Sequence, residues 1–360
     1  MSGNYLTVKG FLKYVARRTL LMFITVVIAT YLTILVANMG GHVDTIIRGE
    51  LQIQISMEYR NNPDYEGFTS EELRPIIEQR FEQEIKRRGL DTPFILRSFI
   101  YLRNALTLDL GSAQFLTSDS GSRFVRNIIM ERLPQTVILF TTATLINFFL
   151  TLAIGLYLSR HYGSWIDKLF ISLSPTSAIP GWFYGIFLIL IFASYLHILP
   201  YGGILGVPTP KEPIPRLLDM AKHMILPISS WVISAFFLGC YANRTFFLIF
   251  STEDYVEAAR AKGVPPRQLE RNYILRPALP PILTTLALNL INSWSGAIIT
   301  ESVFNWRGLG LLTRTAISMF DSPVLIGITI IYAYLLAITV LLLDILYGLI
   351  DPRIKAQFTS

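Results

Sequence analysis

The sequence predicts an all-α integral membrane protein with six transmembrane helices, with both termini in the cytoplasm and an extracytoplasmic module between spans 1 and 2. The first observation is composition: 52% of the 360 residues are hydrophobic and 16% are charged, whereas soluble domains carry about 25% charged residues. The second is a set of six apolar runs of membrane-spanning length, and the third is the distribution of basic residues between them. Together they predict a multi-pass protein of the cell (plasma or inner) membrane.

A bilayer core needs about 20 apolar residues as helix, because a helix satisfies its backbone groups without water. The first run, 20–37, follows a basic segment as a signal peptide would, but 19–41 is too long for a signal core and has no clear cleavage site, so we expect a retained span. The third run contains SLSPTSAIPGW (residues 172–182), whose two prolines predict a broken or interfacial segment before a span from about Trp182. The six runs are 20–37, 137–159, 169–197, 224–243 (continuing past Arg244 to Phe250), 278–300 and 322–343.

The basic residues of the short loops orient these spans. With the N-terminus inside, the cytoplasmic side carries most of them, which is the positive-inside pattern. The cytoplasmic set is Lys9, Lys13, Arg17, Arg18, Arg160, Lys168, Arg260, Lys262, Arg267, Arg271, Arg276, Arg353 and Lys355, and the outer set is Lys211, Arg216, Lys222, Arg307 and Arg314. The long outer segment 40–132 is too long to count under this rule.

These spans predict four regions: 1–39 with the cytoplasmic N-terminus and the first span, the extracytoplasmic module 40–132, a core 133–350 with a cytoplasmic loop at 251–281, and a tail 351–360. In the module, EELRPIIEQRFEQEIKRRG predicts a docked helix with Pro75 in its first turn, apolar residues at helical spacing and Gly89 as its stop. The apolar residues are Ile76, Ile77, Phe81 and Ile85. This helix is either packing for the module itself or a contact for a soluble partner.

The sequence lacks the motifs of several common binding and catalytic sites. No GxxxxGK[ST] loop, HExxH motif or Cys/His metal spacing is present, and the histidines are scattered over loops and span ends. We therefore expect neither a metal nor a bound cofactor, and no nucleic-acid role for the modest basic excess. The single cysteine, Cys240, lies in an apolar run and has no intrachain partner. Acidic residues are nearly absent from the spans apart from Asp344 near one end, which weakens a secondary transporter driven by protons or sodium.

The loop between spans 4 and 5 reads STEDYVEAARAKGVPPRQLERNYILRPALPPI (residues 251–282). Ser251 and Asp254 suit a capping box, and Gly263 supplies a left-handed stop. Pro265 and Pro266 prevent continuation, and Pro266 can open a second short helix through Ile274. The pattern predicts two short helices in the cytoplasm.

The first of these helices has the features of a docking element. Ala258 and Ala259 are small enough for a partner surface to approach the backbone, and Glu257 and Arg260 flank them. Two interpretations stay open from the residues alone: a connector that happens to be helical, or a helix that inserts into a cleft of another protein.

EAARAKG followed by ILRPALPPI resembles the EAA loop of binding-protein-dependent ABC importers. Further blocks, in order along the chain, are similar to the dipeptide/oligopeptide/nickel permease family, B-type subunit. They are GLDTPF (89–94), LTLDLGSA (106–113), RLPQT (132–136), GAIITESVFNWRGLGLLTRTAI (296–317) and LLLDILYGLIDPRIK (341–355). Two positions depart from the family pattern, Leu108 where Gly is usual and Arg307 where Pro is usual, so contact with a receptor on the outer side need not follow the family's usual form.

The resemblance implies an ABC importer permease rather than an enzyme. It implies half of a translocation pathway for peptides, or for oligosaccharides or nickel in related systems, formed with a second homologous permease subunit as a heterodimer. It also implies two cytoplasmic ATPases that hold ATP and Mg, and an extracytoplasmic solute-binding protein. The loop residues that would couple to the ATPase are Asp254, Tyr255, Glu257, Ala258, Ala259, Arg260, Lys262 and Gly263. Alternatives from other classes are a membrane scaffold or receptor that recruits a cytoplasmic partner, and a secondary transporter.

Polar residues at helical spacing in the spans suggest a pathway. In span 5 the stripe is Thr285, Asn289, Asn292 and Gly296, and in span 2 it is Thr141, Thr144 and Asn147. Residues three and four apart share one helical face, and amides in lipid need partners, so each face should point into the bundle or the pore. Interhelical hydrogen bonding and pore lining are both open for these faces.

Overall fold

The computed structural model describes residues 8–38, 42–65, 67–87, 89–294 and 297–350. Within these ranges the regular structure is helical apart from one isolated antiparallel bridge between Ser112 and Phe124. The α-helices are α1 Val8–Asn38, α2 His42–Arg60, α3 Ser70–Arg87, α4 Phe94–Leu106, α5 Val125–Arg160, α6 Trp165–Leu173, α7 Gly181–Leu188, α8 Pro213–Ser251, α9 Asp254–Ala261, α10 Pro266–Leu269, α11 Arg276–Ser293, α12 Ile298–Val303, α13 Leu309–Ser318 and α14 Ser322–Ile350. Short 3₁₀ segments occur at Pro63–Tyr65 and Ser174–Ala178, and π-helical segments at Ile189–Tyr195 and Glu270–Leu275.

Four helices in the described ranges are long and apolar enough to cross a membrane. They are Leu12–Ala37 within α1, Val125–Arg160, Pro213–Ser251 and Ser322–Ile345 within α14. A fifth candidate is the pair Trp165–Ala178 and Gly181–Tyr195, which is bent by 96°. The break expected at the prolines of the third apolar run is therefore present, and the all-helical membrane class is confirmed, with four or five candidate spans in the described residues.

The apolar run at 278–300 differs from the expected fifth span. Helix α11 ends at Ser293, and α12 begins only at Ile298, so the run is not one helix in the described residues. Prolines and polar side chains lower its apolar character, and α11 is not among the helices that could cross a membrane by length and composition. The six-span count stays a prediction.

The chain divides into two compact units. The first contains Arg132–Thr315 with the part of α1 up to Thr19 and the part of α14 from Ile338, and the second contains Leu20–Glu131 with Ala316–Ala337. The predicted boundaries at 40, 133 and 351 stay predictions.

In the second unit, α2 and α3 share an apolar core. Leu51 and Ile55 of α2 pack with Ile85 and Leu90, and Tyr59, Ile77 and Phe81 surround them. Three of the four apolar residues noted along α3, Ile77, Phe81 and Ile85, therefore face α2, in agreement with the interpretation that this helix packs on its own module.

Helix α3 begins earlier than predicted. Thr69 and Glu72 form a capping box: the Thr69 amide donates to Glu72 Oε2 at 2.8 Å, and the Glu72 amide donates to Thr69 Oγ1 at 3.4 Å. The Thr69 amide and, to a smaller extent, the Thr69 hydroxyl, which also donates to Glu72 Oε2 at 2.8 Å, lower the pKa of the Glu72 carboxyl. Pro75 thus lies inside the helix and not in its first turn, which corrects the prediction. The predicted stop at Gly89 is confirmed by its φ of +66°.

In the first unit, α5 and α8 approach closely through two glycines. A Cβ on Gly155 of α5 would lie 2.5 Å from Asn243 Cβ, and a Cβ on Gly239 of α8 would lie 2.9 Å from Thr151 Cγ2. Asn243 Nδ2 also donates to Thr151 Oγ1 at 3.1 Å. Small residues and an interhelical hydrogen bond are the usual means by which helices associate in lipid, and here they fix α8 against α5.

Candidate functional site

The loop after α8 forms the predicted helical pair, here called the α9 hairpin (residues 254–275). Its start differs from the expectation: Ser251 is the last residue of α8, and its hydroxyl donates to the Leu248 carbonyl at 2.8 Å. Helix α9 begins at Asp254 after Glu253, whose side chain makes no capping bond. The capping box of Ser251 and Asp254 is therefore wrong, because α8 runs on through its apolar last turn and includes Ser251.

The end of α9 is as predicted. Gly263 has a φ of +78°, which an L residue adopts only with strain. The Val264 amide donates back to the Ala259 carbonyl at 3.2 Å, the closing bond of a glycine stop. Pro265 then precedes α10, and Pro266 is its first residue, where its missing N–H costs nothing.

One face of α9 packs against the rest of the hairpin, and the opposite face is exposed. Val256, Ala259 and Leu269 are buried together, and Val264 and Tyr273 pack around them. The two alanines thus differ in exposure: Ala259 is in the small core, and Ala258 is on the exposed face. The exposed members of the predicted set are Asp254, Tyr255, Glu257, Ala258, Arg260, Lys262 and Gly263.

Among these exposed residues, Tyr255 is the one whose pKa is shifted. Partial burial raises the pKa of its phenol, and the Glu253 carboxylate raises it further. The phenol is therefore neutral at neutral pH.

The hairpin is tied to the long helices by packing and by charge. Ile274 and Leu275 of the hairpin pack against a buried cluster, which is formed by Phe148 of α5, Phe247 of α8, and Ala278 and Ile282 of α11. Arg160, the last residue of α5, forms an ion pair with Glu270 of the hairpin. A displacement of the hairpin would therefore move the ends of α5, α8 and α11.

A buried ion pair that no sequence pattern indicated joins α6 to α8, two turns before the end of α8. Arg244 of α8 donates from Nε to Asp167 Oδ1 at 2.8 Å and from Nη2 to Oδ2 at 2.7 Å. The side chains are 10% and 1% exposed, the Gly163 amide also donates to Asp167 at 2.9 Å, and the Arg244 guanidinium lies 4.8 Å from the centre of the Tyr162 ring. A bidentate pair of this kind fixes the relative orientation of two helices.

The polar stripe of α5 is largely turned inward. Thr144 is buried, and Thr141 Oγ1 accepts a hydrogen bond at 2.8 Å from Nε1 of Trp294, the residue that follows α11. The buried Asn147 Oδ1 has no hydrogen-bond partner among the described residues. The stripe thus offers one bond between elements and one unused acceptor.

The polar stripe of α11 is open. Thr285, Asn289 and Asn292 are all exposed, and the Thr285 hydroxyl donates to the Pro281 carbonyl of its own helix at 3.1 Å. Gly296, the fourth predicted member, lies outside the described residues. Among the described residues, these three side chains make no hydrogen bond to another helix.

Comparison with known protein families matches residues 151–356 to the binding-protein-dependent transport system inner membrane component. The match covers more than half of the chain and includes the whole α9 hairpin. The chain belongs to this family. The resemblance drawn from EAARAKG and the other blocks is thereby confirmed, together with the multi-pass membrane location.

Similar characterised proteins of this permease family cover most of the chain. The oligopeptide transport system permease protein AppB of Bacillus subtilis is 30% identical over 76% of this chain and 84% of its own length. The di/tripeptide transport system permease protein DppB of Pseudomonas aeruginosa is 31% identical over 79% and 88%, and the dipeptide permease DppB of Bacillus subtilis is 28% identical over 78% and 88%. The chain is a permease subunit of an ABC importer, and its family is one of transporter subunits, not of catalysts.

The permease contains a buried carboxylate that sequence reasoning missed. Glu301 of α12 is fully buried and accepts from Thr136 Oγ1 at 2.8 Å and from the Leu311 amide at 2.9 Å. Thr136 Oγ1 in turn accepts from the Leu309 amide at 2.7 Å. A Cβ on Gly308 would lie 2.3 Å from Thr136 Oγ1, so only glycine fits.

The signal for this network was present in two separate motifs. RLPQT ends at Thr136, and TESVFNWRGLGL contains Glu301 and Gly308. Both were recognised as family blocks, but a contact across 165 positions is not visible from spacing. Among the described residues, no group of three or more His, Cys, Asp or Glu side chains is arranged to hold a metal ion.

Proposed function

We propose that the chain forms half of the translocation pathway of an ATP-driven importer that takes peptides from an extracytoplasmic solute-binding protein. A second, homologous permease subunit would supply the other half, and two cytoplasmic ATPases would hold ATP and Mg. The names of the relatives, which refer to oligopeptides, dipeptides and di/tripeptides, support the substrate class. No phosphate-binding loop occurs in the sequence, which suits a chain powered by other subunits.

The observation that carries the proposal is the exposed face of α9. Its charged residues surround Ala258, while Val256 and Ala259 hold the helix on its own small core. A short helix with a small residue among charges suits insertion into a cleft of an ATPase. The stop at Gly263 keeps its length fixed.

The connections of the hairpin suggest how ATP hydrolysis would act. When the ATPases close, the cleft that holds α9 would move. The Arg160–Glu270 pair and the Phe148–Phe247–Ala278 packing would pass this motion to α5, α8 and α11. The scheme is a two-state rocking of permease halves.

We further propose six spans with both termini inside. In this topology the fifth span consists of α11 and the segment that follows it. Its open stripe of Thr285, Asn289 and Asn292 would line the pathway, which gives a reason for the low apolar character of this helix. Thr141, Thr144 and Asn147 of α5 would contribute on the other side, with the unused Oδ1 of Asn147 as an acceptor for substrate or water.

The test is uptake by the purified transporter, isolated through an affinity tag on this chain and reconstituted in liposomes. We expect uptake of a labelled oligopeptide that requires ATP and the solute-binding protein, and no uptake when the ATPase subunits are absent. Uptake driven by an ion gradient without ATP would identify a secondary transporter instead. A complex that contains no ATPase and transports nothing would favour a scaffold or receptor.

A further inference from the structure

Helix α4 (Phe94–Leu106), in the segment expected to lie outside the membrane, packs against membrane-spanning helices of its own unit. Its Ala105 is buried with Ile34 of α1 and Ile330 of α14. The Phe99 ring stacks on the Tyr31 ring of α1 with centroids 5.6 Å apart. On its packed side, α4 therefore lies against two candidate spans.

These contacts set the level of α4 relative to the bilayer. Tyr31 and Ile34 lie within the apolar stretch Leu12–Ala37, and Ile330 lies within the stretch Ser322–Ile345. At 1.5 Å per residue, Tyr31 is about 9 Å from the end of its stretch. Helix α4 therefore lies beside two candidate transmembrane segments, near the C-terminal end of α1.

The opposite side of α4 is apolar and largely exposed. Ile95, Leu96 and Ile100 lie on it and are 54–67% exposed, and Phe99, at the border with Tyr31, is still 57% exposed. Arg103 continues this face one turn after Phe99, at the C-terminal end of the helix, and is long enough to reach the headgroup region.

This face continues a neighbouring lipid-facing surface. Along α1, Ile28, Leu32 and Val36 are 54–67% exposed, and an apolar stripe on a spanning helix of a membrane protein faces acyl chains or another subunit. The stacked Tyr31 and Phe99 rings join the two stripes into one surface.

The last carbonyl groups of α4 are hydrogen-bonded within the protein and do not need water. The Thr107 and Asp109 amides donate to Arg103 and Asn104 carbonyls. The Tyr334 hydroxyl donates to the Leu106 carbonyl at 3.0 Å. Carbonyls that water would usually satisfy at a helix end are bonded to protein, which is the condition for a helix terminus within the bilayer.

We propose that α4 is immersed in the membrane and that its Ile95–Leu96–Phe99–Ile100 face contacts lipid acyl chains. Under the proposed topology the leaflet is the outer one, and only that choice of leaflet rests on the proposed function. The lipid contact itself rests on packing within one unit and on membrane location. Helix α4 then anchors the segment between the first two spans to the bilayer surface.

Spin labels test this contact in the assembled transporter. The one native cysteine is replaced by Cys240→Ala, and single cysteines are introduced by Ile95→Cys or Leu96→Cys on α4. The matched control is Gln83→Cys on the exposed polar side of α3. In liposomes, collision with oxygen, which concentrates in acyl chains, is compared with collision with a water-soluble nickel chelate.

The proposal expects oxygen collisions to exceed nickel collisions at Ile95 and Leu96, with the reverse order at Gln83. Greater nickel accessibility on α4 would overturn it in favour of a water-facing surface. Low accessibility to both reagents would overturn it in favour of a protein partner on this face. The collision rates can be measured whether or not the transporter takes up peptide. Failure of the proposed function and failure of this inference are therefore distinguishable.

Discussion

The buried Asp167–Arg244 pair predicts a specific pattern of stability losses. Asp167→Asn leaves the guanidinium of Arg244 without its charge partner, and Arg244→Met leaves the carboxylate, which is 1% exposed, without its own. Loss of one partner of a buried pair costs about 3–5 kcal/mol, because an uncompensated charge stays in a low-dielectric site. Both single variants should therefore lose stability on the order of 10 °C in melting temperature.

The double variant separates the pair from its individual residues. With both charges removed, Asn at position 167 can still accept from the Gly163 amide, so the loss should be smaller than the sum of the two single losses. We expect a coupling energy of about 2–3 kcal/mol. Thermal unfolding of the four proteins in the same lipid nanodiscs measures it. Additive losses, or single variants as stable as the parent chain, would refute the argument that the pair holds α6 to α8.

Two further predictions concern the glycine contact at the Glu301 network and the open stripe of α11. Gly308→Ala places a Cβ against Thr136 Oγ1 and should destabilise the permease by about 1–3 kcal/mol in the same melting assay. The control Gly49→Ala, whose added Cβ meets no atom within 4 Å, should not destabilise it. Equal melting temperatures for the two variants would contradict the close fit at Gly308. Asn289→Leu and Asn292→Leu should lower peptide uptake by the reconstituted transporter while the amount of inserted protein stays constant. A loss confined to protein level, with normal uptake by the surviving protein, would remove the pathway role.

Capping and helix-stopping residues in the sequence predicted some helix boundaries correctly and others wrongly, for identifiable reasons. Gly263 was correctly read as a stop because glycine and two prolines leave the backbone no helical continuation. Ser251 was misread as a cap because α8 extends through its last apolar turn and includes this serine. For α3, the capping pair of Thr69 and Glu72 determines the start, and Pro75 is tolerated inside.

Tertiary contacts account for what the sequence could not predict. Ala259 is buried because Leu269 returns from the next helix to cover it, so the two alanines of the motif differ in exposure. Glu301 meets Thr136 only through the fold, although both lie in recognisable motifs. The expected fifth span differs for another reason: its polar stripe makes it look unlike a membrane helix by composition.

Two substitutions on the hairpin test separately whether α9 couples ATP hydrolysis to transport. Ala258→Trp fills the exposed face without touching the buried Val256 and Ala259. Gly263→Val forces a β-branched residue into a φ of +78°, a strain of at least about 1–2 kcal/mol, and so alters the end of α9. Thr209→Trp, on an exposed loop distant in sequence from the hairpin, is the bulky control.

The most direct measurement is the number of peptides taken up per ATP hydrolysed by the reconstituted transporter that carries each substitution. We expect Ala258→Trp and Gly263→Val to lose uptake while the protein stays inserted, so that ATP hydrolysis no longer supports transport. Thr209→Trp should keep the parent ratio. An unchanged ratio of uptake to hydrolysis in both hairpin variants would contradict the assignment of α9 as the element that transmits the energy of ATP to the permease.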